Sequence, residues 1–197
     1  MSPSTRVALA AAGIVGALSF GAGGQVPGST VRLTQPPQRL AIYVPTPRDV
    51  VLRMLELAHV TKRDVVYDLG CGDGRIAITA ASKFGARAVG VDIDPSLIRQ
   101  SQDNARAAGV EKLVTFRVQD ALDVDVAPAT VVALYLGEIS NLQLRPILTK
   151  QLRAGARIVS HQFSMGDWAP LKAEKFRSKA GYSRMIYLWK ADGVVRE

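Results

Sequence analysis

Cysteine is nearly absent from this chain of 197 residues, and the single Cys71 excludes an internal disulfide and a zinc site built on several thiolates. Aromatic residues make up only 6% of the sequence, and the first 48 positions contain no acidic residue. The stretch 49–171 carries 14 basic and 14 acidic groups, so the formal charge of +8 lies at the two ends of the chain. A basic stripe with interleaved aromatic residues, typical of nucleic-acid-binding faces, is therefore missing, and we expect no nucleic acid partner.

Charge is also absent from a long amino-terminal segment. Residues 7–31 are uncharged, and most of the first 18 of them are Ala, Val, Ile, Leu and Gly, long enough to approach a bilayer hydrocarbon thickness of about 30 Å. Residues 1–24 are therefore expected to form a membrane anchor or a signal segment, with Ala22 to Gly24 suited to signal cleavage. Because only Arg6 precedes the segment and several arginines follow it, an anchor would leave the rest of the chain facing the cytoplasm. Export after cleavage is the alternative.

The following segment, 25–39, is rich in Pro, Gly, Gln, Ser and Thr and is predicted to be a linker. The folded part is predicted to span residues 40–197, a length suited to one α/β domain. A first helix is expected to start at Thr46-Pro47, with Thr46 as its capping residue, and to end near His59.

Strand and helix patterns alternate through the rest of the chain. Predicted strands cover residues 65–69, 88–92, 113–118, 130–136 and 157–163, with helices at 75–84, 95–108 and 144–152. This alternation predicts an α/β fold with a mostly parallel sheet and crossover helices on both faces. Two further strands, 173–177 and 184–190, are expected to form an antiparallel hairpin at the edge of a seven-stranded sheet.

The most informative segment reads Asp-Leu-Gly-Cys-Gly-Asp-Gly-Arg from Asp68 to Arg75. Its glycines directly follow a buried-strand pattern, and glycine lets a backbone turn sharply and approach a ligand closely. The next strand ends at Asp92, close to the offset of roughly 20 residues at which an acidic side chain meets a ribose in nucleotide-binding βαβ units. Dinucleotide-binding folds need Gly-x-Gly-x-x-Gly, but the third glycine position of that pattern is Arg75 here.

The Gly-x-Gly-x-Gly spacing after an acidic residue resembles the S-adenosylmethionine-dependent methyltransferases of the Rossmann-like class. The resemblance implies that the cofactor is S-adenosyl-L-methionine and that no metal is needed. Its implied contacts are Asp68 for the methionine end, Asp92 for the ribose, Asp120 for the adenine amino group, and a loop formed by Gly70, Cys71, Gly72 and Gly74. Asp120 could instead be a solvated turn carboxylate, and Asp94 is better explained as a helix cap.

Further segments narrow the resemblance. Tyr43-Val-Pro-Thr46 and Ser160-His-Gln-Phe163 resemble the small protein-lysine methyltransferases of archaea and their membrane-anchored mitochondrial relatives. The resemblance implies a protein substrate methylated on lysine, with a membrane protein as one candidate, and implies that Tyr43 and Thr46 lie near the methyl group and its acceptor. Packing by Tyr43 and simple capping by Thr46 are the alternatives. His161, His59, Trp168 and Trp189 are interpreted as structural residues.

The acceptor is less well specified by the sequence. No Asn/Asp-Pro-Pro-aromatic motif follows the fourth strand, which disfavours a planar amide or base acceptor, and Gly137-Glu138 departs from the family pattern. Methylation of a small molecule or of a lipid or quinone precursor remains an alternative, as does a non-catalytic nucleoside-binding module.

Overall fold

A seven-stranded sheet is the centre of the computed structural model, which describes residues 43–197. The strand order is β3-β2-β1-β4-β5-β7-β6. Strands β1 to β5 are parallel, and β7 pairs antiparallel with both β5 and β6, which confirms the predicted mixed sheet and edge hairpin. The strands are β1 Val65–Leu69, β2 Arg87–Asp92, β3 Val114–Val118, β4 Val131–Leu134, β5 Arg157–His161, β6 Lys172–Arg177 and β7 Ser183–Lys190.

Helices cover both faces of this sheet, as the alternating pattern predicts. The helices are α1 Arg48–Leu57, α2 Arg75–Phe84, α3 Pro95–Ala107 and α4 Glu138–Gln151. Apolar side chains of α1, α2 and α3 share one core cluster, and those of α4 share the other with the tryptophans 168 and 189. Successive strand residues alternate between the clusters because strand side chains point to opposite faces, as Val131 and Val132 do.

The start of α1 differs from the sequence prediction. Pro47 occupies the capping position, α1 begins at Arg48, and no side chain caps the helix, so the prediction that Thr46 caps it is wrong. The Thr46 side chain is buried and lies 3.4 Å from His161 instead. His59 was expected to pack, but it is exposed and has a left-handed backbone (φ 49) after the end of α1.

Helix α4 begins six residues before the predicted start at Leu144. Its first two turns lack an apolar stripe, yet Ser140 and Asn141 within them are buried. The Asn141 amide donates hydrogen bonds to Ser160 Oγ and to the Phe163 carbonyl, both at 3.1 Å. Polar contacts thus replace the apolar periodicity on which the prediction depended.

None of the helices within residues 43–197 is both long enough and apolar enough to cross a membrane. The predicted anchor or signal segment and the linker lie outside the described residues.

Candidate active site

A cavity of about 750 Å³ opens where the parallel strands β1, β2 and β4 end. This is the point at which the sheet's connections run in opposite directions, since β1 lies between β2 and β4, and open α/β sheets bind their ligands there. Eight of the nine predicted site residues line the cavity: Tyr43, Thr46, Asp68, Gly70, Cys71, Gly72, Asp92 and Asp120.

The glycine turn after β1 is held against the end of β2 by backbone hydrogen bonds. The N–H groups of Gly70 and Cys71 donate to the Val91 carbonyl at 2.9 and 2.8 Å, and the Gly72 N–H donates to Asp92 Oδ2 at 3.0 Å. Gly72 has a left-handed backbone (φ 55), and a Cβ there would collide with the ring of Tyr43. The turn therefore needs glycine both for its conformation and for the close approach of Tyr43.

Gly74 is the predicted residue that does not line the cavity. It precedes α2 with φ 79, and a Cβ at this position would lie 2.6 Å from the Phe116 ring and 2.8 Å from Ser101 Cβ. The missing side chain makes room for the packing of α3 and β3 against the start of α2. Packing therefore accounts for this glycine, and the structure places it away from the cavity surface.

Asp68 is the most constrained carboxyl group of the cavity. Its side chain is only 2% exposed, and Oδ2 has no hydrogen-bond partner within the described residues. Burial, together with the nearby carboxylates of Asp73 and Asp92, raises the pKa of Asp68 to about 7, although the backbone N–H of Ala77 acts in the opposite direction. A buried acceptor atom of this kind is suited to a cationic or hydrogen-bond-donating ligand group.

Asp92 and Asp94 take the separate positions that the sequence predicts. Asp94 caps α3 by accepting a hydrogen bond from the Ser96 N–H at 2.8 Å. Asp92 lines the cavity, with Oδ2 bound to the Gly72 N–H and Oδ1 bound to the Asp94 N–H, both at 3.0 Å. Each carboxylate oxygen can accept a second hydrogen bond, so the group is held in place while retaining the capacity to bind two hydroxyls.

Asp120 lines the far end of the cavity and also stabilises a local turn. It precedes a short 3₁₀ helix, Ala121–Asp123, and accepts a hydrogen bond from the Leu122 N–H at 2.9 Å. The structural and the functional interpretations of Asp120 are therefore compatible with each other.

Cys71 lies in the cavity wall as a buried thiol. Burial and the neighbouring carboxylates raise the pKa of Cys71 far above its ordinary value. Because the thiolate is the reactive form of cysteine, this residue is not suited to act as a nucleophile.

An ion pair that the sequence analysis did not assign holds the segment 43–46 over the cavity. Arg75 binds Asp73 through two nitrogens, Nε at 2.9 Å and Nη2 at 2.6 Å, and its Nη1 donates to the Thr46 carbonyl at 2.7 Å. The Tyr43 hydroxyl is hydrogen-bonded to the same pair. The Arg75 guanidinium holds the pKa of Asp73 below its usual range in spite of burial. No local signal could reveal this contact, because Thr46 lies 29 residues before Arg75.

Neutral and aromatic side chains form the opposite end of the site, where β4 and β5 end. The ring of Tyr135, which lines the cavity, lies 4.0 Å from that of His161 and 6.0 Å from that of Phe163, centroid to centroid. His161 is fully buried, its Nδ1 lies 3.4 Å from Thr46 Oγ1, and burial with the charge of Arg184 lowers its pKa to about 4. His161 is therefore neutral at physiological pH and carries no charge into this end of the site.

The family model described as the ANTKMT methyltransferase domain matches residues 68–172, more than half of the chain. The chain belongs to this family. The matched range contains the glycine turn, Asp92, Asp120 and the end of β5, which are the elements that surround the cavity.

Curated relatives of this methyltransferase act on proteins, according to their descriptions. A protein-lysine N-methyltransferase of Saccharolobus islandicus (strain REY15A) is 43% identical over 148 residues, which are 75% of this chain and 91% of the relative. An ATP synthase lysine N-methyltransferase of Xenopus laevis is 32% identical over 128 residues, which are 65% of this chain but only 56% of that protein. The chain thus spans most of the archaeal relative and about half of the vertebrate one.

A solved structure supports both the fold and the cofactor. A protein of Salinibacter ruber, described as an RNA methyltransferase in complex with S-adenosyl-L-homocysteine, is 49% identical, with a TM-score of 0.74. The match covers 78% of this chain and 97% of that one. The present protein is therefore an S-adenosylmethionine-dependent methyltransferase with a Rossmann-like fold.

Proposed function

We propose that this methyltransferase modifies lysine side chains of a protein. The supporting observation is the neutral, aromatic end of the site, formed by Tyr135, His161 and Phe163. A lysine amine can accept a methyl group only after it loses its proton, and desolvation lowers its pKa, whereas a free carboxylate nearby would raise it. The carboxylate of Asp73, which lines the cavity together with Tyr43, is neutralised by its pairing with Arg75.

The chain's own residues fit S-adenosylmethionine, which supplies an activated methyl group when bound. We propose that the unpartnered Oδ2 of Asp68 receives the ammonium of the methionine end and that the glycine turn at 70–72 contacts the same end. Asp92 would bind the ribose hydroxyls, and Asp120 the adenine amino group. The structure supports these roles by bringing all of these groups to one cavity.

Tyr43 and Thr46 are proposed to position the acceptor and to exclude water from it. Both line the cavity, and the Arg75–Asp73 pair holds their segment in place. Burial and the Asp73 charge raise the pKa of Tyr43, so the phenol stays neutral. Alignment of two reactants can supply much of the acceleration of a displacement reaction, so a separate catalytic base is not required.

Radiolabelled S-adenosylmethionine incubated with the protein and a cell extract tests the proposal. Label is expected in protein bands and, by mass spectrometry of digests, on lysine. Gly72→Arg should abolish labelling because its side chain would enter the space of Tyr43, whereas the matched Gly109→Arg should not, since nothing lies within 4 Å of a Cβ at that left-handed glycine. Label found only in a lipid or small-molecule fraction would contradict the proposal.

RNA is the second candidate acceptor, because the Salinibacter ruber protein is described as an RNA methyltransferase. The missing Asn/Asp-Pro-Pro-aromatic motif argues against a base acceptor. The two candidates differ in one readout: ribonuclease treatment before electrophoresis removes labelled RNA and leaves labelled protein.

We further propose that residues 1–24 anchor the enzyme with its catalytic domain in the cytoplasm, where the cofactor is made. Support comes from the uncharged run at 7–31 and the arginines that follow it. A carboxyl-terminal fusion to a reporter that is active only outside the cytoplasm should be inactive. An active reporter would favour export after cleavage.

A further inference from the structure

The hairpin β6–β7 carries all of the excess positive charge of the described domain. Residues 43–197 contain 22 basic and 17 acidic side chains, and the hairpin 172–190 contributes six of the basic and only one of the acidic ones. The rest of the domain is therefore neutral. Four of the six cations lie in residues 175–184, called the basic tip below, which contain no acidic residue: Lys175, Arg177, Lys179 and Arg184.

The basic tip lies at the acceptor side of the site. In the antiparallel register His161, the last residue of β5, pairs with Ile186, so residues 183–185 of β7 continue beyond the end of β5. The Gln162 N–H donates to the Met185 carbonyl at 2.7 Å, which fastens this extension to the chain that follows β5. The hairpin turn consequently projects past the edge of the sheet on which the cavity opens.

The turn is held in place, and the carboxylates beside it are already occupied. Asp49 at the start of α1 accepts hydrogen bonds from Ser178 Oγ at 2.9 Å and from the Lys179 N–H at 2.5 Å. Glu174, the acidic residue of the hairpin, is paired with Arg53 through two bonds, at 2.6 and 2.7 Å. Within the described residues, the side chains of Lys175, Arg177 and Lys179 are exposed and make no ion pair.

Strand β6 also presents an open edge. It is the last strand of the sheet, and no other strand of residues 43–197 pairs with its outer side. Unpaired N–H and C=O groups on such an edge can bind an extended peptide as an added strand. A segment bound there would meet the charges of Lys175 and Arg177 and would run toward the turn.

We propose that the basic tip and the edge of β6 dock an acidic, extended segment of the protein substrate next to the lysine that is methylated. The inference rests on the proposed lysine methylation and adds what the enzyme recognises around the acceptor. Attraction between a basic surface and an acidic segment speeds encounter and fixes orientation more than it adds affinity. Selection of lysines with acidic neighbours follows.

A peptide fits these features better than a nucleic acid does. The open strand edge offers main-chain hydrogen bonds that an extended peptide can satisfy in register. The exposed aromatic ring of the tip, Tyr182, has the guanidinium of Arg184 5.3 Å from its centroid, so one face of the ring is already covered. Base stacking on that face would require the displacement of Arg184.

The test uses the full-length protein and two peptides, one with a single lysine flanked by glutamates and one with the same lysine flanked by glutamines. We expect a higher kcat/KM for the glutamate peptide, falling as salt is added, since exposed charge contacts are screened. The triple variant K175Q/R177Q/K179Q should lower kcat/KM for this peptide about tenfold, the combined effect of three exposed charge contacts. It should leave S-adenosylhomocysteine affinity and the rate on the glutamine peptide unchanged.

The matched control K62Q/R63Q/K112Q removes the same charge from exposed positions shortly before β1 and β3, at the ends of the strands opposite the cavity. It should behave like the wild type. Equal, salt-independent rates on the two peptides would overturn the docking proposal while leaving lysine methylation intact. Absence of label on either peptide, with label transferred to an RNA oligonucleotide instead, would overturn both proposals. Loss of activity in the control to the same extent as in the tip variant would show a general charge effect and would also overturn the docking proposal.

Discussion

At the scale of single residues, Asp68 shows most directly that this structure is built for a ligand. A buried carboxyl group with an unpartnered oxygen and a pKa raised to about 7 opposes folding when it is ionised. The cost for a shift of this size is on the order of 4 kcal/mol, a large share of the stability of a small domain. Such a group is explained when a bound cation compensates the charge, as the ammonium of the proposed cofactor would.

The variant Asp68→Asn should make stability without cofactor less dependent on pH. The folded-state pKa lies above the usual value of 3.8, so the folded wild type holds a proton that the unfolded chain has lost. Wild-type stability should therefore fall as the pH rises from about 4 to about 7, and stay lower above that. We expect the variant to gain stability relative to the wild type across this window, measured by urea unfolding, and to bind S-adenosylhomocysteine more weakly in calorimetry.

Asp103→Asn provides the control for this measurement. Asp103 is exposed on α3, and its pair with Arg106 is a surface ion pair, which contributes little to stability. Its replacement should leave the pH dependence of unfolding nearly unchanged. A wild-type curve that rises between about pH 4 and about pH 7 would contradict the assignment of Asp68 as a buried, ligand-compensated carboxyl.

At the scale of elements, the start of α2 determines how the glycine turn is placed. Gly74 allows Phe116 of β3 and Ser101 of α3 to approach the first turn of α2. The Asn104 amide of α3 donates to the Asp73 carbonyl at 2.9 Å, which fixes the same turn from another side. Three elements thus converge on a loop that sequence periodicity treats as a simple connection.

Replacing Gly74 by Ala should destabilise the protein more than replacing Gly109 by Ala. Both glycines have a left-handed backbone, with φ 79 and φ 68, so the conformational cost of about 1 kcal/mol is shared. A Cβ meets close atoms only at Gly74, where overpacking adds about 1 to 3 kcal/mol. Thermal and urea unfolding measure the difference, and equal losses in the two variants would disprove the packing role.

At the scale of the whole molecule, the site is assembled from segments far apart in the chain. Thr46 and His161, separated by 115 positions, lie within 3.4 Å of each other, and Arg75 connects the first segment to the glycine turn. The cavity therefore exists only when the sheet is complete. Ligand binding and global stability should be coupled, because a ligand of the folded state alone shifts unfolding by mass action.

S-adenosylhomocysteine should accordingly raise the melting temperature of the full-length protein. At about a hundredfold excess over its Kd the stabilisation amounts to about 2.7 kcal/mol. Differential scanning fluorimetry measures the shift, which Gly72→Arg should remove. Nicotinamide adenine dinucleotide serves as a negative control, since the third glycine that dinucleotide binding requires is Arg75 here. A comparable shift with the dinucleotide would contradict the assignment of the cavity.

Much of the architecture could be predicted from local patterns. Helix α2 is predicted with its observed bounds, and the capping role of Asp94 is confirmed, because glycine stops and side-chain caps act within a few residues. The start of α4 and the environment of Thr46 could not be predicted in this way. Both depend on contacts with β5 or with the residues that follow it, which no local pattern contains.

The amino-acid sequence by itself determined the alternation of strands and helices, the glycine turn and the acidic residues at the strand ends, because these depend on short-range periodicity and backbone sterics. Only the tertiary structure decided that Gly74 serves packing, that Arg75 and Asp73 hold the segment over the cavity, and that the acceptor end is neutral. The physical reason is that burial, charge pairing and close packing arise between residues distant in the chain, and they take definite values only once the strands have paired.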